Sequence, residues 1–442
     1  MQDWVFGALF FDVPEVHQQG WMSLQGQEPV RVQGTHTIPD NYCLITNLDF
    51  IQMKNSGLAP HRFFNRDWFA RRMDPMLLEF ALHKEEIAVQ VQFFSHLFYS
   101  TMQWIDKLLS IKDPHPFGMT HTIRDFWDVD TQGQTPFQVL EAARNAIHFY
   151  KRTENISGAL IEATSTMYLP RVHHALSILN STLPKPGVIW RRMHKSSYPK
   201  RSEEIPRWVS SHRPMLVQTI IRSTLSSIHH LINPGGDLKK GNAPRLWHSS
   251  DEISYLSHFS KIEIVDAWEC TSDFVFLKDE FDFLNNFTED QMEAAYVSPA
   301  FHMFLEGLWK SATVCKPAVG EEKFTPPHSA FIRSLDMLKC MNAAVHISDM
   351  EIKKNRPWAD VVGFGSGGLR IASPVDPMER DTYLSKLAWS FNLYPPMPES
   401  LVFSDFSDDH LLTYDGLVRS LYLSKDRGAL MEADRESLEL FS

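Results

Sequence analysis

What the chain lacks narrows its chemistry first. It holds only four cysteines in 442 residues, Cys43, Cys270, Cys315 and Cys340, and no two stand in a C-x-x-C spacing. A cysteine-rich zinc site is thereby excluded, and a reducing, cytoplasmic setting without structural disulfides is expected. No HExxH is present and no Glu stands three residues before a His, so zincin and di-iron bundle sites lose their ligands. There is no Walker loop and no Gly-x-Ser-x-Gly elbow. No apolar run reaches the length that spans a bilayer, so no membrane partner is expected. The start, Met1-Gln2-Asp3-Trp4, carries an acid instead of a basic stretch, which leads to the expectation of no signal peptide. Positive charge is the scarcer sign, 43 Lys and Arg against 54 Asp and Glu. The resulting net charge of -11 repels backbone phosphates, and nucleic acid is not expected as a partner.

What is present reads as mainly α-helical. Residues 1–65, with Pro14, Pro29 and Pro39 among short apolar runs, are expected to be an irregular N-terminal segment or lid. A helical domain is expected over 66–400, with a tail at 401–442 packing on it. Within that domain, Ile87, Val91, Phe94, Leu97, Phe98, Met102, Ile105 and Leu109 keep the spacing of one helical face. A second helical block opens at Thr135-Pro136 and continues towards Tyr168. Ser210-Ser211-His212-Arg213-Pro214 reads as a serine cap before an amphipathic helix carrying Met215, Leu216, Ile220, Ile221, Leu225 and Ile228. Phe274 to Phe287 reads as another. The segment from Arg191 to Arg207 gathers Arg191, Arg192, His194, Lys195, Lys200, Arg201 and Arg207, either as a solvated loop or as a seat for an anion.

The long run from Ser329 to Lys354 is the best-defined helix. Phe331, Leu335, Leu338, Asn342, Val345 and Ile352 recur along one expected buried face, with His346 beside it. A histidine there is either a core imidazole bonded to a backbone carbonyl or an axial ligand to haem iron, with Ala343 leaving room for the porphyrin. Nineteen residues later comes Gly365-Ser366-Gly367-Gly368, after Gly363. A dinucleotide fingerprint needs a strand before it and a helix after it; a flexible loop whose amides approach an anionic ligand fits the flanking prolines better, with a plain surface loop as the alternative.

A helix histidine followed by a Gly-Ser-Gly-Gly loop resembles the tryptophan/indoleamine 2,3-dioxygenase superfamily, and within it the branch containing the second enzyme of pyrrolnitrin biosynthesis. The resemblance covers about sixty residues. It implies that His346 binds the iron of haem b, with Ala343 and Arg370 around the cofactor. It implies that Gly365, Ser366, Gly367 and Gly368 close over the substrate, and that Ser211 and His212 line the distal side. It further implies a haem-dependent oxygenase acting with O2 or peroxide on a small indole- or tryptophan-derived aromatic. Asp349, one turn past His346, or a backbone carbonyl is a candidate acceptor for the ligand's other N–H, with a solvated acid as the other reading of Asp349. Two other classes stay open. His121 and Asp125 satisfy the His-x-x-x-Asp motif of acyl-CoA-dependent acyltransferases, in which the histidine is a general base. A non-catalytic helical scaffold is the third, and the oligomeric state of the chain, monomer or homodimer, is left open.

Overall fold

The structure, a computed structural model, describes residues 4–59 except 36 and 37, 62–64, 77, 82–109, 135–146, 150–151, 164–168, 181–184, 189–224 except 213, 245–271, 274–276, 327–353, 360–365 and 368–372. It also describes short or single positions at 298, 300, 301, 304, 316–317, 323–324, 384, 386, 387, 390, 391, 432, 435 and 436. The chain divides into two compact units. One comprises Met1–Thr122, Phe283–Leu308 and Asp408–Ser442; the other comprises Ile123–Asp282 and Trp309–Ser407. These units cut across the division expected at 65 and 400.

The first unit is built on a sheet where an irregular segment was expected. β1 (Val5–Phe11), β2 (Gln19–Leu24), β3 (Val30–Gln33), β4 (Tyr42–Thr46) and β5 (Phe63–Phe64) lie in the order β3-β2-β1-β4-β5. β1 and β2 form an antiparallel hairpin, while β4 runs parallel to β1 and β5 parallel to β4. Between β4 and β5, α1 (Phe50–Asn55) starts at Asp49, whose carboxylate accepts from Gln52 N at 2.7 Å while Gln52 Oε1 accepts from Asp49 N at 2.9 Å. α2 (Ile87–Leu109) matches its expected span and packs on β1 and β2.

β1 is the central strand, and both of its faces are covered. Phe10 meets Phe94 of α2 at 5.6 Å between ring centroids, and Phe6 meets Phe98 at the same separation. Leu9 and Phe11 pack on the other side with Leu44, Leu48, Met53 and Phe63. A strand buried on both faces reads as a continuous apolar run and shows no alternation. The hairpin is tight enough that a Cβ on Gly7 would lie 2.2 Å from Ser23 O, so that position has no room for a side chain. Ser95 of α2 secures the following turn: its Oγ donates to Ser23 O at 2.9 Å and accepts from Gly26 N at 3.0 Å.

The second unit overturns the mainly α reading more directly. It opens with α3 (Phe137–Asn145), β6 (Tyr150–Lys151), β7 (Thr164–Tyr168), β8 (Thr182–Pro184), β9 (Trp190–Arg192), α4 (Ile205–Ser210) and β10 (Met215–Thr224). It continues with β11 (Arg245–Ser249), α5 (Ser250–Leu256), β12 (Ser260–Cys270), β13 (Phe274–Phe276), β14 (Lys316–Pro317), β15 (Lys323–Phe324), α6 (Pro327–Lys353), β16 (Asp360–Gly365) and β17 (Gly368–Ala372). One antiparallel sheet has the order β11-β10-β12-β9, a second the order β6-β16-β17-β7, and β8-β13 and β14-β15 form two-stranded pairs. The second helical block therefore gives way to strands at β6 and β7. The helix expected from Met215 is strand β10, and the one expected from Phe274 begins as strand β13. In β10, Met215, Leu216 and Val217 are all fully buried, so neither face betrays a period of two.

α6 lies where the long helix was expected, but turned about its axis. Its residues share one core with both four-stranded sheets: Met337, Cys340, Met341, Ala344 and Ile347 cluster with Val217, Ile221 and Ala267 and with Val361, Phe364 and Ile371. Its polar residues are not confined to the outer side, since Ser334, Asp336 and Ser348 are buried as well. Leu335 and Leu338 are only partly buried, and Asn342 and His346 are exposed. Part of the stripe expected to be buried is thus the helix's solvent side.

Candidate functional site

The expected haem residues take different surroundings in the structure. His346 is exposed; its Nδ1 lies 2.7 Å from Asn342 O, which accepts from the ring N–H, and its ring centroid lies 6.3 Å from that of Phe391. The acceptor of the ring N–H is thus a backbone carbonyl, the alternative to Asp349. Ala343 is buried in the core, so the two positions expected to share a porphyrin slot face different surroundings. Gly365 and Gly368 are the last paired rung of the β16–β17 hairpin, with Gly363 opposite Arg370. The glycine cluster thus spans a hairpin end, with a strand on each side. A proximal ligand needs an apolar slot of porphyrin size against the imidazole. Among the described residues, the neighbours of the exposed His346 ring are Asn342 O and Phe391. Among the described residues, no group of three or more His, Cys, Asp or Glu is arranged to hold a metal ion.

Ser211 and His212 do not open a helix. Ser211 caps the C-terminus of α4, its Oγ donating to Trp208 O at 2.9 Å, and His212 Nδ1 lies 2.6 Å from the same carbonyl. Both side chains finish a turn instead of facing a pocket. His121, Asp125 and residues 401–431 lie outside the described residues, as do Ser366 and Gly367.

The basic segment, by contrast, is well built. β9 forms the edge of its sheet against β12, with Trp190 buried and Arg191 and Arg192 outward. Arg191 reaches Glu269 Oε2 at 2.9 Å and Arg192 reaches Asp266 Oδ1 at 2.9 Å. The bond to Asp266 raises the Arg192 pKa further. Charged side chains on a short edge strand are also the usual guard against edge-to-edge pairing. That explanation does not extend to the turns beyond Arg192. His194 caps a short 3₁₀ turn at Lys195–Ser197, and Tyr198 donates its hydroxyl to Met193 O at 3.3 Å. Burial, then the charge of Asp266, pushes the Tyr198 phenol up. A second turn, Ser202–Glu204, is pinned from inside by Ser202 Oγ, which accepts from Ile262 N at 2.7 Å. α4 then buries Ile205 and Trp208 and leaves Arg207 exposed.

The result is a rigid scaffold with its cations outside. From 191 to 207 the segment carries six Lys and Arg against two Glu, in a chain whose net charge is -11. Lys195, Lys200 and Arg207 are exposed and make no ion pair among the described residues.

No family model matches the chain, and no curated protein matches it. Solved structures do overlap with it. One of Phi29 DNA polymerase complexed with primer-template DNA gives a TM-score of 0.46 at 9% identity, over 85% of this chain and 81% of that one. An orthorhombic crystal form of the same polymerase gives 0.43 at 10% identity, over 84% and 81%. At these scores the overlaps fix neither a shared fold nor a shared activity.

Sequence reasoning missed a second constellation. His248 at the end of β11 sets Nδ1 2.7 Å from Glu252 Oε1 in α5, and both side chains are fully buried. Ser249 Oγ lies 2.6 Å from Ser334 Oγ of α6, and Ser334 Oγ donates to Glu252 Oε2 at 3.5 Å. Ser249-x-x-Glu252 is a capping-box pattern and would have marked the helix start. Here Ser249 does accept from Glu252 N at 3.3 Å, but the glutamate turns inward to His248. The serines bond the carboxylate side of the pair, and the group is sealed from solvent. Its arrangement ties β11, α5 and α6 together and does not activate a nucleophile.

Proposed function

We propose that the second unit binds a polynucleotide backbone along the basic segment from Arg191 to Arg207. The observation that carries this reading is the trio Lys195, Lys200 and Arg207, exposed without a described ion-pair partner on a scaffold fixed by Ser202, Ile205 and Trp208. Keeping three exposed cations within one short segment, without an ion-pair partner among the described residues, is favourable where an anion neutralises them, and a phosphate backbone does so with release of counterions. The chain-wide charge of -11 speaks against nucleic acid only as an average. Affinity depends on the local field, which decays within about 10 Å at 0.1 M salt. The remaining negative surface makes the interaction weak and strongly salt-dependent.

A cytoplasmic setting goes with this reading. Cys43, Cys270 and Cys340 are buried and outside any disulfide among the described residues. No helix among the described residues is long and apolar enough to cross a membrane.

The test is fluorescence anisotropy with a labelled single strand and a labelled primer-template duplex over a series of salt concentrations. The wild type binds at low salt with a negative slope of log K against log salt. The variant Lys195→Glu/Lys200→Glu/Arg207→Glu lowers the magnitude of that slope by about 2–3, close to one for each phosphate no longer neutralised. Arg222→Glu, a cation already engaged by Glu263 at 2.8 Å, serves as the control. No binding at low salt, or equal binding by the triple variant, overturns the proposal.

A further inference from the structure

The first unit carries a surface unrelated to the basic segment. Four of its large apolar side chains are exposed together at the carboxyl ends of β1 and β4: Val13 at 50%, Val16 at 52%, Phe50 at 56% and Ile51 at 68%. The two stretches are neighbours. Asn47 accepts from Phe11 N and donates to Phe11 O, both at 2.9 Å, and Gln52 Nε2 lies 3.5 Å from Glu15 Oε1. Phe50, Ile51 and Lys54 share the outer face of α1, at spacings of three and four residues, while Met53 is buried. Contiguous exposed apolar side chains rimmed by charge mark an interaction surface.

We infer that this surface pairs with a second copy of the chain across a two-fold axis. The charges around the patch choose the occupant. Glu15 and Asp49 sit at the N-terminal end of α1 and Lys54 in its last turn, so the face is acidic at one end and basic at the other. A two-fold axis lays the two α1 helices antiparallel, which puts each Lys54 against the other copy's Glu15 and Asp49 while the apolar side chains meet in the middle. An isologous contact requires such self-complementarity. A polyanion or an anionic lipid surface would face Glu15 and Asp49, and a uniformly basic partner would face Lys54. Only a surface with the same reversal of sign satisfies both ends. The patch is small beside a standard interface of about 800 Å² per partner, so the dimer is weak.

Sedimentation velocity of the full chain tests this. A concentration-dependent shift from monomer to dimer mass is expected on the order of tens of micromolar. Ile51→Asp abolishes the shift, Ile51→Ser reduces it, and Lys54→Glu or Glu15→Lys alone weakens it at least several-fold. The double variant Lys54→Glu/Glu15→Lys restores association, because the swapped charges again oppose each other. All the substituted positions are exposed, and unchanged thermal melts show that the variants fold. A wild type that stays monomeric at every concentration overturns the inference, as does dimerisation indifferent to Ile51→Asp. A monomer that cosediments with phosphatidylcholine and phosphatidylserine vesicles through Ile51 overturns it in favour of a lipid surface.

Discussion

Replacing Glu252 by alanine tests whether the buried network of the second unit is needed to hold α6 in place. Glu252 and His248 are both fully enclosed, and the carboxylate receives Ser334 of α6 on its other oxygen. Deleting the carboxylate takes from the imidazole its 2.7 Å partner and from Ser334 a longer contact at 3.5 Å. Removing one partner of a buried hydrogen bond and leaving the other unsatisfied costs about 1–3 kcal/mol. Ser334→Ala removes only a hydroxyl whose short hydrogen bond is to Ser249 Oγ, and costs about 1 kcal/mol. Three measurements make a cycle: Glu252→Ala, Ser334→Ala and the double variant. Native-state hydrogen exchange of the α6 amides is the suitable readout, because it isolates this unit within a two-unit chain. The double variant is expected to cost less than the sum of the singles, since the two side chains share one network. Destabilisation of α6 by less than about 1 kcal/mol in Glu252→Ala would refute the reasoning.

Three further perturbations probe other parts of the molecule. Burial pushes the Tyr255 phenol up to about 12, and its hydroxyl donates to Asn342 Oδ1 at 3.1 Å. Its neutral form is favoured in the fold, so the stability it contributes is fully present below about pH 10, the unfolded value, and is lost as pH climbs towards 12. Ultraviolet titration should show one late phenolate that disappears in Tyr255→Phe. Phe94→Ala removes the ring that meets Phe10 under β1 and should destabilise the first unit by about 3–5 kcal/mol in a urea titration. Gly7→Ala should cost about 1–3 kcal/mol in thermal melts, because backbone atoms of β2 occupy the space its methyl needs; an unchanged melt would contradict the strand spacing.

The two long helices are legible in the sequence because 23 and 27 residues give a periodic pattern room to repeat. The strands are hidden by their own burial. Val5–Phe11 and Met215–Thr224 are covered on both sides along much of their length, and such runs look the same as buried helix to a periodicity argument. The exposure of His346 escapes the sequence for a related reason. Polar residues stand on more than one side of α6, Ser334 and Asp336 being buried while Asn342 and His346 are exposed, so spacing does not fix its buried face, and the exposed stripe through Asn342 reads as core. The basic segment is visible as charge. Its rigidity is not, because it depends on Ser202 meeting Ile262, sixty residues away.

The placement of α6 between two sheets also sets an order of events during synthesis. β9 to β12 are complete once Cys270 has been made, yet the helix that fills their inner face ends near residue 353. At about 5–20 residues per second, that interval lasts on the order of ten seconds. Throughout it Met215, Val217 and Ile221 have Ile205 and Trp208 of α4 and Ile253 and Leu256 of α5 beside them, but lack the α6 side chains that complete their cluster. A nascent chain stalled in that window presents an incompletely covered apolar core, which is the state a ribosome-associated chaperone would capture.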